Sequence, residues 1–211
     1  MAKYPIFLEL SSRRVVLVGG GVVAVRKAVA LLEAGARLVV VTHQPSDAIL
    51  DVCTRQGAEL IRAKYSKQYI AQALLVVAAT NDSAVNEQVY RDCQELEILC
   101  NVVDEPRLCD FFVPAVVKRG DLQIAIGTEG YCPAYAGHLR KKLETIFTEQ
   151  HGLFLAELER ARREIIGQIS DPADRKAILG ELVDDESFEY FRAHGPAAWR
   201  ERAQARVASE P

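Results

Sequence analysis

The stretch VVLVGGGVVAVRKA, Val15 to Ala28, joins an apolar β-branched run to three glycines and then to a segment with helical spacing. Val15-Val16-Leu17-Val18 has no polar alternation, as expected of a parallel strand buried on both faces. The segment after the glycines repeats Ala and Leu at helical intervals and stops at Gly35, where a helix C-cap is expected. Strand, glycine turn and helix in that order are the context of a dinucleotide-binding fingerprint. The spacing Gly19-x-Gly21-x-x-Ala24 fits its GxGxxG/A form. Gly19 would make the tight turn, Gly21 would let the backbone approach a pyrophosphate, and Ala24 would let the helix pack close to the sheet. Free N–H groups and a partial positive charge at the helix start complete an anion site.

The same alternation continues. RLVVVTH, AELIRAKY, ALLVVAAT and ILCNVVD read as four further strands. SDAILDVCTRQG reads as a helix opened by Ser46 or Asp47 and closed by Gly57, and SAVNEQVYRDCQEL as the helix after the fourth strand. Strands and helices alternating at this spacing predict an α/β fold, a Rossmann-like doubly wound parallel sheet. Ligands of such sheets bind beyond the carboxyl ends of the strands. Thr80, Asn81, Asn101 and Asp104 are expected at that edge, because they stand at or after the ends of apolar strand runs.

After Pro114 the pattern changes. AVVKRGDLQIAIGT predicts a hairpin around Gly120-Asp121, PAYAGHLRKKLETIFTEQHG a helix with Pro133 in its first turn, and LFLAELERARREIIGQI a second amphipathic helix. The remainder predicts short helices broken by Pro and Gly. The expected layout is a nucleotide-binding domain over 1–113, a hairpin-and-helix region over 114–150 and a helical C-terminal domain over 151–211.

The acidic residue that usually ends the second strand of a dinucleotide-binding domain is missing; that place reads Thr42-His43-Gln44. Adenosine must then be held by backbone groups, Thr42, His43 or Gln44. No arginine stands there for a 2′-phosphate, which favours NAD over NADP. A formal charge of −3 gives no reason to expect nucleic acid or a membrane surface as partner. No apolar run reaches the roughly 18 residues that span a bilayer, and the N-terminus lacks the pattern of a signal peptide. Five cysteines without CxxC or finger spacing predict free thiols in a reducing cytoplasm and no resident metal site.

The segments PIFLELSSRRVVLVGGGVVAVRKAVALLEAGARLVVV, AATNDSAVN, CNVVDEP and FFVPAVVKRGDLQIAIGTEGYCPAYAGHLRKKLE occur in this order between residues 5 and about 145. Together they resemble the siroheme-synthase family, in particular its module with precorrin-2 dehydrogenase and sirohydrochlorin ferrochelatase activities. The resemblance implies NAD-dependent oxidation of precorrin-2 to sirohydrochlorin, followed in bifunctional members by insertion of Fe²⁺ as a substrate. It implies a homodimer formed through the hairpin-and-helix region, and a chain of this length without the family's methyltransferase domain. It assigns the aspartate of both reactions to Asp104, cofactor contacts to Val22, Val23, His43 and Gln44, and a position that is a phosphorylated serine in some members to Thr128. Many members are acidic where this chain has Val22 or Val25.

Removing a hydride from a reduced tetrapyrrole also requires loss of a proton, and a carboxylate near the nicotinamide can accept it. Asp104 is therefore either a catalytic or substrate-orienting group or an aspartate that caps the turn before Pro106. The substrate carries eight carboxylates. Between Arg107 and Lys142 stand six basic residues against three acids, so this stretch is locally basic, with Arg107 the foremost candidate for substrate binding. His138, near the start of a helix in the dimer region, is a further candidate for substrate or iron. Phe111 and Phe112 are expected in the core. The competing reading is a regulatory NAD-sensing module without enzymatic activity, which gives no reason for CNVVDEP followed by a basic hairpin.

Overall fold

The computed structural model describes residues 3–208, and the chain divides into two compact units, Met1–Val113 and Pro114–Pro211. The first unit runs β1 (Arg14–Val18), α1 (Val22–Glu33), β2 (Arg37–Val41), α2 (Asp47–Gln56), β3 (Glu59–Ile61), β4 (Leu75–Ala78), α3 (Ser83–Glu95) and β5 (Leu99–Val102). All five strands are parallel, in the order β3-β2-β1-β4-β5. Strand order reverses between β1 and β4, and a crevice opens at such a reversal on the carboxyl edge of the sheet.

The alternation of side chains along each strand divides the core in two. Val15, Leu17, Leu38 and Val40 point to the face covered by α1 and α2, packing with Ala24, Ala28, Ile49 and Val52. Val16, Val18, Val39 and Val41 point to the opposite face, against Val89 and Cys93 of α3. Helices on both faces explain why the strands are apolar throughout. Each fully buried Val or Leu contributes about 1.5–3 kcal/mol. Of the two candidates for the start of α2, Ser46 is the cap, its hydroxyl accepting from the Ile49 N–H at 3.3 Å. β3 is shorter than the eight residues expected from the sequence. It is an edge strand that pairs with β2 from Val39–Glu59 to Val41–Ile61, the last bond running from the Thr42 N–H to the Ile61 carbonyl at 3.1 Å.

The second unit comprises β6 (Ala115–Arg119) and β7 (Leu122–Ile126), an antiparallel hairpin, then α4 (Pro133–Ile146), α5 (Glu149–Gln168), α6 (Pro172–Leu182) and α7 (Asp185–Ala208). The helix expected to continue to residue 152 ends at Ile146 instead. The Arg119 guanidinium donates to the carbonyls of Phe147 (2.8 Å) and Glu144 (3.1 Å), satisfying the exposed end of α4. Thr148 then caps α5, with His151 Nδ1 accepting from the Thr148 N–H at 3.1 Å. α5 packs on the hairpin close enough that a Cβ on Gly152 would lie 2.4 Å from the Arg119 carbonyl oxygen. Its other face joins a core of Phe154, Ile165, Phe191 and Trp199. α5 thus packs against both the hairpin and this core, and residues 114–211 form one compact unit. α7 is broken at Gly195-Pro196, as the sequence suggested.

Candidate functional site

The glycine turn lies at the carboxyl end of β1. Gly19 has φ +132°, and a Cβ there would lie 2.3 Å from the carbonyl oxygen of Ala79 at the end of β4. Gly20 faces the other neighbour: its Cβ would meet Thr42 Oγ1 at 2.8 Å, and its carbonyl accepts from both the hydroxyl (2.7 Å) and the N–H (3.2 Å) of Ser46. The first two glycines thus dock β1 against the loops after β4 and β2. Gly21 alone has open space, with no atom within 4 Å of a built Cβ. It is the N-cap of α1 without a side-chain cap, and the first intrahelical bond is made by the Val25 N–H. The amides of Val22, Val23 and Ala24 are therefore the unpaired donors of the helix start. The Val22 side chain is 80% exposed beside them, while Ala24 is fully buried. An open helix N-terminus that a Cβ would obstruct fits a dinucleotide pyrophosphate.

At the end of β2 the three candidates separate. Thr42 is buried, and its Oγ1 accepts from the Gln44 N–H at 3.3 Å while packing against Gly20. Its side chain therefore shapes the loop, and His43 and Gln44 are the ones that face solvent.

At the end of β4, Thr80 is half-buried and its hydroxyl donates to Oδ1 of Asn86 at 2.7 Å. Asn86 Oδ1 also accepts from the Thr80 N–H at 3.4 Å, and its Nδ2 donates to the Thr80 carbonyl at 3.0 Å. Asn81 is exposed, and among the described residues its amide makes no hydrogen bond. The sequence reading missed Gly20, Ser46 as a loop tether and Asn86. Only Ser46 left a signal, as a helix cap.

Asn101 requires a correction. It lies inside β5, paired with Val77, and not beyond the strand. It is buried, and its Nδ2 donates to the Phe111 carbonyl at 2.9 Å. The chain returns along β5 through a bridge between Asn101 and Cys109, and Asp110 Oδ2 accepts from the Cys100 N–H at 2.8 Å. Asn101 is thus a staple for the base of the loop that carries Asp104. Replacing Asn101 with Ala leaves the Phe111 carbonyl unpaired; the expected cost is about 1–3 kcal/mol in urea unfolding.

Asp104 sits in the turn closed by the Glu105 N–H and the Val102 carbonyl at 3.3 Å. Its φ is +63°, and its side chain is exposed with no hydrogen bond among the described residues. It caps nothing. Lys27 of α1 lies half-buried on this side. Burial lowers the pKa of its ammonium and Arg26 adds to that, while Cys109 and Asp104 pull the other way. Arg107, exposed on the following 3-10 turn, pairs with Glu105 at 3.0 Å. Phe111 packs on the core as expected. Phe112 does not: it is exposed under the ammonium of Lys3, 4.1 Å from the ring centroid.

In the second unit, Thr128 opens a turn closed by the Tyr131 N–H at 2.8 Å, and is half-buried. His138 is exposed on α4, its ring parallel to that of Tyr135 at 6.3 Å. Among the described residues no group of three or more His, Cys, Asp or Glu could hold a metal ion, and no helix is long and apolar enough to cross a membrane.

A siroheme synthase of Psychrobacter sp. (strain PRwf-1) is 38% identical over 193 residues, covering 92% of this chain and 40% of the relative. A siroheme synthase of Nitrosospira multiformis (strain ATCC 25196 / NCIMB 11849 / C 71) is 34% identical over 214 residues, covering 98% and 45%. The chain therefore spans less than half the length of these relatives. The solved structure of SirC, a precorrin-2 dehydrogenase, superimposes with a TM-score of 0.79 over 96% of this chain and 100% of SirC. At 24% identity that match establishes the fold. The family model described as "Putative NAD(P)-binding" matches residues 6–115, just over half of the 211, and covers every element from β1 to the Asp104 loop. The chain belongs to that NAD(P)-binding family.

Proposed function

We propose that the chain is a precorrin-2 dehydrogenase of siroheme biosynthesis that uses NAD⁺ and yields sirohydrochlorin. The observation that carries this reading is the pairing of an uncapped, glycine-lined helix start at the β1/β4 crevice with an exposed carboxylate that makes no hydrogen bond among the described residues. That carboxylate, Asp104, stands after β5, the strand next to β4, on the same carboxyl edge of the sheet. When bound, NAD⁺ supplies a hydride acceptor. The substrate loses two hydrogens: one leaves as hydride with its electron pair, the other as a proton. The Asp104 side chain, exposed at that edge, can take the proton and pass it to water. The amides of Val22 and Val23 bind the pyrophosphate, and the open loop at His43 and Gln44 receives the adenosine. With neither a carboxylate nor an arginine at that loop, the reading favours NAD over NADP. Both the siroheme synthases and SirC support this assignment by name.

Insertion of Fe²⁺ into sirohydrochlorin displaces two pyrrole N–H protons, which the same carboxylate can accept one at a time, passing each to water; iron is then a substrate. Arg107, Thr128 and His138 are assigned to the substrate's carboxylates. The chain pairs with a second copy through its second unit, where Tyr131, Tyr135, Ile146 and Leu153 are exposed. Five free thiols fit the reducing cytoplasm.

Anaerobic incubation with precorrin-2 and NAD⁺ tests the reading: NADH absorbance and the sirohydrochlorin spectrum should rise together. A chain that binds NAD⁺ but converts nothing is a sensor, not a dehydrogenase. A parallel arm with sirohydrochlorin and Fe²⁺ decides the chelatase step. Light scattering should give twice the chain mass, and a monomer across the micromolar range contradicts the dimer.

A further inference from the structure

Asparagine is a poor helix former, and its side chain favours caps over helix interiors. Asn86 nevertheless stands inside α3, buried, although capping there is already complete. Asp82 Oδ1 accepts from the N–H groups of Ala84 (3.0 Å) and Val85 (3.2 Å), and the Asp82 carbonyl accepts from the Asn86 N–H itself. All three hydrogen bonds of the Asn86 side chain go to one residue, Thr80: to its N–H, its hydroxyl and its carbonyl. Every polar group of Thr80 is thereby engaged from the α3 side.

The position of Thr80 matters because of what precedes and follows it. The carbonyl of Ala79 occupies the space where Gly19 lacks a Cβ, so the loop after β4 and the glycine turn are in van der Waals contact. Any displacement of Thr80 moves Ala79 against the turn that presents the α1 amides. Asn81 follows, exposed at the strand reversal where the crevice opens. The Thr80 hydroxyl, by contrast, is turned to the α3 side, 2.7 Å from Asn86 Oδ1 and 3.0 Å from the Asp82 carbonyl, and accepts from the Asp82 N–H at 3.2 Å.

Building on the dinucleotide reading above, we propose that Asn86 is a positioning residue of the cofactor crevice. It locks Thr80, so that Asn81 and the loop backbone, and not the Thr80 hydroxyl, meet the dinucleotide. Thr80 is accordingly not a direct ligand but the part through which Asn86 acts.

A double-mutant cycle on the full chain tests this, using Thr80→Val, Asn86→Leu and the pair, with NAD⁺ affinity read by titration without turnover. Thr80→Val is close to isosteric and keeps the variant set informative if Asn86→Leu folds poorly. Each single variant is expected to raise the NAD⁺ Kd about tenfold, the equivalent of one buried hydrogen bond. The double variant is expected to raise it by the same factor, because both changes release one clamp. In steady state, KM for NAD⁺ rises while KM for the tetrapyrrole stays put, a split that a purely structural role would not produce. Multiplied effects in the double variant, or folded variants with lowered Tm and unchanged NAD⁺ affinity, overturn the role of Asn86. A wild-type chain that binds no NAD⁺ defeats the dinucleotide reading itself, and this proposal with it.

Discussion

Asp104→Asn is expected to lower turnover of precorrin-2 by about 10²–10⁴-fold, the usual contribution of a positioned acid–base group, and to leave thermal stability unchanged. The separation of these two effects comes from the backbone. Asp104 has φ +63°, a left-handed conformation that asparagine tolerates as readily as aspartate. The carboxylate makes no hydrogen bond among the described residues, so its replacement breaks none. Asp104→Gly should behave differently in one respect: it relieves about 1 kcal/mol of left-handed strain, so Tm rises although activity is lost. An asparagine variant with wild-type turnover would reduce Asp104 to a turn residue. A large loss of Tm in the same variant would show that the carboxylate holds the loop together.

Gly19→Ala is expected to be the most damaging single substitution in the first unit, costing about 3–5 kcal/mol in urea unfolding. At φ +132° any side chain is strained, and the new Cβ would lie 2.3 Å from the Ala79 carbonyl oxygen, far inside van der Waals contact. The neighbour is the backbone at the end of a central strand and has nowhere to go. Gly21→Ala is the informative contrast. Gly21 has an ordinary φ of −87° and open space around it, so the stability cost should stay within about 1 kcal/mol. NAD⁺ affinity should nevertheless fall, because the methyl group stands where the pyrophosphate approaches. Equal stability losses at the two glycines would contradict this division between a structural and a ligand-facing position.

Much of this architecture is legible in the chain because it depends on local, repeated signals. Apolar runs such as Val15–Val18 and Leu75–Ala78 mark buried parallel strands, and the glycine triplet marks the turn from β1 into α1. What escaped was set by contacts between distant segments. Asn101 follows the apolar run Ile98-Leu99-Cys100 and so looks like a strand end, yet it lies within β5, where the chain returns beside it at Cys109–Phe111. Asn86 carries no local sign of its role, since its partner Thr80 is recognised only once α3 is folded back on β4. Likewise the break at Phe147 depends on Arg119, 28 residues earlier. The place of Asp104 just past the end of β5 follows from its apolar strand run, whereas its left-handed backbone does not, because nothing in Val102-Val103-Asp104-Glu105 announces a conformation that glycine would favour.

The central claim is that NAD⁺ lies across the β1/β4 crevice with its reactive end on the side of Asn81 and Asp104. A crystal structure of the chain with NAD⁺ tests it most directly. The account predicts the pyrophosphate within hydrogen-bond distance of the Val22 and Val23 amides, over Gly21, with adenosine beside His43 and Gln44 and nicotinamide toward Asn81. A pyrophosphate bound anywhere else, or a nicotinamide on the β2 side of the sheet, would contradict it.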